Sequence, residues 1–332
     1  MLINVAGKEL AESIRMVSAL NADTICFTTK NNKLYVTASK ASQYVNVLDI
    51  DSSSDYINTT MNVLNFDISS IIPKKESITL EFNPVSVTVK TGNLTLPLPV
   101  SQEIVPEIQI PSEEPEDIKY KDDLRFSLNM FRATSMFQKV LQSEKPLQLC
   151  GDFSVMQFPT VWFRKRSSSI KSTLTKEQAL SVLKFNPDKF LQTDRIYLYK
   201  DSAVLILTVS PIPIEDEFLG LMERTVSMGK RYVHDFYEHV QELYKVVGVA
   251  DCSVYVTKSS FFINIRKDSL QIKDTITEEI LASFDTRLEY LECVLKLFSN
   301  SDFIEFLVTD SIVAFRDNLT AVILSVGGVS NV

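Results

Sequence analysis

The chain has only eight glycines in 332 residues, two histidines, four cysteines and one tryptophan. So few glycines argue against a nucleotide-binding scaffold built on phosphate loops, where the backbone must come close to a phosphate. His234 and His239 lie five apart in a helical pattern and do not share a face, which removes the simplest zinc pair. Cys26, Cys150, Cys252 and Cys293 are widely spaced and form no C-x-x-C pair. They read as buried thiols of a chain kept in a reducing compartment. No apolar run approaches the roughly 18 residues of a membrane span. The N-terminus, MLINVAGKELAESI, carries acids and passes straight into a helical pattern, so no signal peptide is expected. Most routes to acid–base or nucleophilic catalysis therefore lack their usual groups, and neither enzyme activity nor a cofactor is expected.

What is present is an ordinary globular balance, 45% hydrophobic and 23% charged, in a chain long enough for two or three cores. Residues 7–20 read as a helix with Leu10, Ile14 and Val17 inward, followed by strands at 24–29, 34–38 and 44–50 with a turn at Asn31–Asn32. A strand then leads to a short helix at 66–75 and three more strands at 78–82, 85–89 and 94–98. Residues 101–123 hold eight acids, two lysines and Pro106, Pro111 and Pro115, and 106–122 read as an extended, solvated linker. Beyond it come a strand at 126–128, a helix at 129–141, short strands over 147–163 and a helix at 174–185. A hairpin follows at 196–199 and 204–209. A third strand would fall on 210–216, where Pro211 and Pro213 permit only an edge or a linker. The last part reads as a helix at 230–246, strands at 253–257, 261–266 and 276–283, a helix at 285–298 and strands at 303–308, 312–315 and 319–326.

This is one module used repeatedly. Phe66–Asp67 answers Phe284–Asp285, and Ile78, Leu80 and Phe82 answer Ile304, Phe306 and Val308. Ile78, Ile196 and Ile304 serve as anchors 118 and 108 residues apart, and the first-half helices start near Gly7, Asn129 and Lys230. Self-similarity at this period points to an α+β chain of three tandem domains, each a duplicated unit of helix plus antiparallel sheet. The expected boundaries are 1–105, 123–215 and 216–332.

That arrangement resembles the bacterial beta-type sliding clamp of the replicative DNA polymerase. TEEIL at 277–281, SFDTRLEYLECVL at 283–295 and LVTDSIVAF at 307–315 are similar to the family's third domain. FDISSIIPKKESITLEF at 66–82 and VSVTVKTGNLTLPLP at 85–99 are similar to its first. The resemblance covers the whole chain and implies a DNA-clamp fold with helices lining a ring that two copies close head to tail. It implies sequence-independent binding of duplex DNA, a polymerase and a clamp loader as partners, and a place in the cytoplasm of a bacterium or of a phage-infected host. The C-terminus departs from the family, with SVGGVSNV in place of a Met–Pro–Met–Arg–Leu-like tail, as suits a divergent clamp such as a phage might encode. Two other readings stay open: an open monomeric processivity factor, and a structural scaffold built of duplicated domains.

The six expected helices hold 13 basic and 10 acidic residues, +3, in a chain of net charge −8. A polyanion needs basic groups concentrated where it lies, and this contrast has that sign, although ordinary solvated helix faces are the alternative. The candidate phosphate contacts are Lys74, Lys75, Arg132, Lys139, Lys176, Lys184, Lys230, Arg231 and Lys245. Arg164, Lys165 and Arg166 are either DNA contacts at the rim or a solvated loop. The resemblance further implies an interface between copies in which Ile68, Ile71 and Ile72 meet Phe261, Ile263, Glu278 and Glu279, unless the isoleucines serve only their own core. It also implies a cleft for apolar partner peptides lined by Val161, Pro211, Ile312, Ala314, Leu324 and Val326.

Overall fold

The computed structural model describes residues 1–51, 58–66, 68–74, 76–92, 94–140, 146–151, 153–157, 161–165, 168–210, 226–309, 312–325 and 329–331. The chain divides into two compact units, Met1–Lys121 with Glu177–Ser210, and Asp122–Lys176 with Pro211–Val332.

The first unit opens with β1 (Leu2–Ala6), α1 (Gly7–Ala19), β2 (Thr24–Lys30), β3 (Lys33–Ser39) and β4 (Gln43–Asp51). Leu10, Ile14 and Val17 are fully buried on α1, as their three-and-four spacing predicts. The β2–β3 turn is Asn31–Asn32 with φ of 50° and 60°, the double left-handed conformation of a tight hairpin that asparagine tolerates. Next come β5 (Thr59–Leu64), β6 (Ser77–Asn83), β7 (Ser86–Thr91), β8 (Leu94–Pro99) and the two-residue β9 (Glu116–Asp117). After the excursion into the second unit the chain returns with α3 (Lys176–Phe185), β14 (Lys189–Gln192), β15 (Arg195–Lys200) and β16 (Ala203–Thr208).

The second unit holds α2 (Lys121–Val140), β10 (Leu147–Cys150), β11 (Phe153–Gln157), β12 (Val161–Lys165) and β13 (Lys171–Leu174). Its remainder is β17 (Val226–Tyr232), α4 (His234–Val247), β18 (Asp251–Thr257), β19 (Phe261–Lys267), β20 (Leu270–Lys273), β21 (Ile280–Arg287), α5 (Leu288–Lys296), β22 (Phe303–Val308), β23 (Ile312–Arg316), β24 (Thr320–Ser325) and β25 (Val329–Asn331). Helices α4 and α5 pack side by side. The core beneath them is aromatic, with Phe261 stacked on Phe236 at 4.8 Å and edge-on to Phe306 at 5.7 Å.

One pairing rule recurs three times. The strand before the first helix pairs with the strand that follows the second helical position, as β1–β6, β9–β14 and β17–β22. The strand that opens the second half pairs back to the first, as β2–β5, β10–β13 and β18–β21. By this rule the strand equivalent to β6 and β22 is β14, so the true anchors are Ile78, Phe190 and Ile304, spaced 112 and 114 residues apart. The expectation built on Ile196 was one strand out of frame. The strand missing from the expectation is β14, which precedes the hairpin; β16 was expected as the hairpin's second strand and stands third, and residues 211–216, where a third strand was sought, lie outside the described residues.

Four further expectations need correction. Residues 66–74 form turns instead of a helix: Ile68 N–H donates to the Phe66 carbonyl at 2.8 Å and Ile71 N–H to Ile68 at 3.0 Å. A segment this short cannot repay helix nucleation, and Pro73 has no N–H to extend it. Residues 126–128 belong to helix α2, where Leu124, Leu128 and Phe131 bury one face. Residues 226–232 are strand, so Lys230 and Arg231 precede helix α4. Finally, 106–122 is not wholly solvated, because β9 pairs with β14 and Ile108 packs on Tyr197, Val204 and Ile206.

Two strand pairs extend the sheets from one repeat into the next. In the first unit β16 pairs with β4, with Val204 opposite Val45 and Ile206 opposite Gln43. In the second, β24 pairs with β12, with Ala321 opposite Phe163 and Ile323 opposite Val161. Among the described residues, β8 is bonded along its length only to β7, and β20 only to β19.

The first residue of α1 is held against the 73–76 turn. Gly7 N–H donates to Glu76 O at 2.9 Å, and a Cβ at Gly7 would lie 2.1 Å from the Pro73 carbonyl oxygen. Gly7→Ala is therefore expected to destabilise the first unit by about 2 kcal/mol or more, read as a lowered urea midpoint with the second unit's transition unchanged.

Candidate nucleic-acid interface

With the helices at their observed bounds, the +3 expected from the sequence disappears. The five described helices hold ten basic and ten acidic residues, so the whole −8 lies elsewhere in the chain. What the helices do offer is order. Lys8 and Arg15 are exposed seven residues apart on α1, and Arg125 and Arg132 likewise on α2, with Lys139 seven further along. Seven residues are nearly two full turns, so each set forms a basic stripe along one side of its helix. Lys8, Arg15, Arg125 and the exposed Lys296 of α5 were not among the sequence candidates, although the heptad spacing was there to be read. Lys184 and Lys245 are exposed as expected, and Lys176 is half-buried. Lys74 is exposed on the turn that abuts Gly7. Lys75 and Arg166 lie outside the described residues, as does the side chain of Lys139.

Two candidates are committed elsewhere. Arg164 sits on β12 with its guanidinium against Asp123 (Nε to Oδ1 2.9 Å) and Thr320 (2.8 Å), 4.0 Å over the Phe126 ring. Both members of the ion pair are mostly buried. Arg231 is 2% exposed and donates to the carbonyls of Thr257 at 2.8 Å and Met228 at 2.7 Å, and burial lowers its pKa. A charge removed from water needs such partners. These two arginines stitch the second unit together and are turned away from any ligand. Their neighbours Lys165 and Lys230 are exposed and line a polar cavity of about 680 Å³ with Asp302, Glu305, Arg316 and Asp317. The hydroxyl of Ser227 and the guanidinium of Arg316 hold the Glu305 carboxyl below the usual range.

Of the residues named for the peptide cleft, Ala314 and Leu324 are the two whose side chains are described, and they do not share a face. Ala314 is opposite Ile323 while Leu324 is opposite Val313, so Ala314 and Leu324 stand on opposite faces of one sheet, and both are buried. The strand position that shares Ala314's register is 323, which also lies opposite Val161. The expectation slipped by one residue, enough to reverse a strand's faces. Pro211 and Val326 lie outside the described residues, as do the side chains of Val161 and Ile312.

The expected interface is corrected in a similar way. Ile68 and Ile72 are buried in their own unit, and only Ile71 is exposed. Phe261 and Ile263 lie buried on β19, which has β18 on one side and β20 on the other, so neither can meet a second copy. Glu278 and Glu279 are exposed, and Glu278 accepts the Ser259 hydroxyl, which lowers its pKa. Exposed apolar groups include Phe66, Ile71, Val85, Leu94 and Val100 on the first unit and Val246, Val249 and Leu270 on the second.

The two histidines are each paired with a carboxylate. His239 faces Asp274 at 3.0 Å and His234 faces Glu238 at 3.2 Å. Among the described residues no cluster of metal-ligating groups forms, and no helix is long and apolar enough to cross a membrane. All four cysteines are free, and burial pushes the thiols of Cys252 and Cys293 up to about 12.

No family model matches this chain, and no curated protein does. Solved structures do. The Helicobacter pylori beta clamp bound to a DNA ligase peptide is 14% identical, with a TM-score of 0.71 over 98% of this chain and 99% of that one. The DNA polymerase III subunit beta from Pseudomonas aeruginosa is 10% identical, with a TM-score of 0.76 over the same shares. A putative DNA polymerase III beta subunit from Eubacterium rectale is 8% identical, with a TM-score of 0.75 over 98% of each chain. The fold is that of the bacterial sliding clamps, matched from end to end.

Two outcomes follow for the second unit. Arg164→Ala strands a buried carboxylate and is expected to cost about 3 kcal/mol, whereas Lys165→Ala is expected to stay within about 0.5 kcal/mol; urea melts of both variants check this. The raised thiols keep their protons at pH 8, so Cys252 and Cys293 should resist alkylation in the native protein and react promptly in denaturant. Because the folded state holds these protons more tightly than the unfolded chain, stability should fall as pH rises above about 9.

Proposed function

We propose that this chain is a DNA sliding clamp, a non-enzymatic ring of two copies that surrounds duplex DNA and tethers a polymerase to it. The observation that carries the reading is the strand-pairing rule. Its threefold recurrence supports three domains near 1–105, 123–215 and 216–332, with β9 in the 106–122 segment as the leading strand of the second. At β4–β16 and β12–β24 the last strand of one domain's first half pairs with the last strand of the next domain's second half. One strand of each kind is left over, β20 and β8. Applying the same rule between copies joins β20 of one to β8 of the other, and head-to-tail repetition by a twofold closes the ring. The bare apolar groups Phe66, Ile71 and Leu94 then meet Val246, Val249 and Leu270, which gives each a reason to be exposed.

The helices face the DNA in this reading, with the stripes Lys8–Arg15 and Arg125–Arg132–Lys139 toward the phosphates and Lys184, Lys245 and Lys296 adding to them. Contacts of this type hold the duplex without reading its sequence. A helix lining of zero net charge grips weakly, and weak grip is what sliding requires. Retention comes from enclosure instead. A clamp loader and a polymerase are the proposed partners, in the cytoplasm of a bacterium or a phage-infected cell. The Helicobacter pylori clamp was solved with a DNA ligase peptide bound, and a short apolar peptide is the partner proposed for the face of Ala314 and position 323.

Retention on DNA tests the central idea. The protein should stay on a nicked circular duplex at moderate salt and be lost when that circle is linearised; equal loss from both forms would reject a ring. Leu94→Asp or Leu270→Asp should convert the dimer to a 37.6 kDa monomer in light scattering. Arg125→Ala with Arg132→Ala should flatten the salt dependence of DNA binding by about one unit of slope per side chain removed.

A further inference from the structure

The free edge of β8 differs from the edges that the chain uses for its own junctions. Val100 N–H donates to the Val85 carbonyl at 3.1 Å, continuing the β7–β8 ladder, while Ser101 N–H turns the other way to Asn62. Backbone groups alternate along a strand, so Leu94, Leu96 and Leu98 bond β7, and Thr95, Pro97 and Pro99 present their backbone to the open side. Two of those three outward positions have no N–H.

The in-chain junctions supply the comparison. β8, β16 and β24 each follow a two-residue hairpin turn, so Thr95 matches Val204 and Ala321, and Pro97 matches Ile206 and Ile323. At the β16 junction the Val47 N–H donates to Ser202 O at 3.3 Å, which turns Val204 and Ile206 toward β4. At the β24 junction Lys165 N–H donates to Leu319 O at 2.8 Å, which turns Ala321 and Ile323 toward β12. Each in-chain junction thus has two outward donors over this stretch. β8 has one, at Thr95. Thr208, equivalent to Pro99, is not paired across the β16 junction among the described residues, and the position opposite Ser325, its other equivalent, lies outside them.

We infer that the junction between copies lacks, at Pro97, a backbone hydrogen bond that both junctions within the chain possess, so that Pro97 sets how weakly this junction is held. The inference rests on the ring reading above and names the occupant of the β8 edge as β20 of a second copy. The partner carbonyl opposite Pro97 must turn to water or go unpaired, while the apolar contacts around Leu94 and Leu270 carry the closure. Pro97 is therefore a determinant of how readily the ring dissociates, and Pro99 is not.

The test compares Pro97→Thr with Pro99→Thr in the full chain. A restored bond strengthens pairing about fivefold at one junction, hence about thirtyfold for a ring closed at two. Dimer dissociation constants from sedimentation equilibrium should fall by that factor for Pro97→Thr and hold within about twofold for Pro99→Thr. The half-life on nicked circular DNA should lengthen for Pro97→Thr alone. Equal effects of the two substitutions, or none at Pro97 in a wild-type protein that does dimerise, would overturn the inference. A wild type and Pro97→Thr that both remain monomeric at all concentrations would reject the ring reading itself.

Discussion

The structure depends on an exchange of strands between halves. A strand that precedes a helix finds its hydrogen bonds in the other half of its repeat: β1 lies along β6, β17 along β22, and β9 along β14. Buried backbone groups must be paired, so neither half can satisfy its own sheet alone. The N-terminus is drawn in by the same requirement, with the Met1 amino group donating to Phe82 O at 3.2 Å across a sequence separation of 81. The exchange also explains why a helix can be lost without losing the repeat. At 66–74 the helix is reduced to turns, yet β5 and β6 keep their partners β2 and β1.

Once the halves are locked, two of the strands at the ends of the sheets, β8 and β20, stand where the junctions within the chain find their partners. β4 takes β16 and β12 takes β24, and a chain of three repeats has one edge of each kind left over. The proposed function rests on that count more than on chemistry. The electrostatics suit it, because helices of zero net charge in an acidic chain offer DNA little net attraction, and the proposed encirclement does not require it. Arg164 and Arg231 illustrate the division of labour. They look like DNA ligands in sequence but are consumed in holding β12 and β17 to their neighbours.

The sequence made the repeats legible because apolar alternation and asparagine turns are local signals. Leu10, Ile14 and Val17 faced the core as read, and the hairpin at Asn31–Asn32 formed where expected. What failed was frame, in two places. β14 is only four residues, KFLQ, directly after Pro187 and Asp188, and so short a strand is defined by its partners β9 and β15, which no local pattern reveals. Leu324 was assigned to the cleft by resemblance alone, and only the pairing with β12 and β23 tells which face of the strand it occupies. Buried arginines were misread for a related reason. A basic residue in a strand looks the same whether its partner, as with Asp123 for Arg164, is 41 residues away or absent.

An exposed strand edge is a hazard before it is an interface. A free chain that carries two unpaired edges beside Leu94 and Leu270 can pair with any extended segment it meets, and proteins blunt such edges with proline or charge. Pro97 and Pro99 blunt β8, while Lys273 and the neighbouring Arg266 and Lys267 charge β20. The in-chain edges of β16 and β24 need no such protection, because their partners are covalently attached and always present. In the proposed ring, the difference between Pro97 and Ile206 or Ile323 marks the one junction that has to exist in two states. A seam strong enough never to open would deny DNA entry to such a ring, and one with no blunting would leave its open form prone to aggregate.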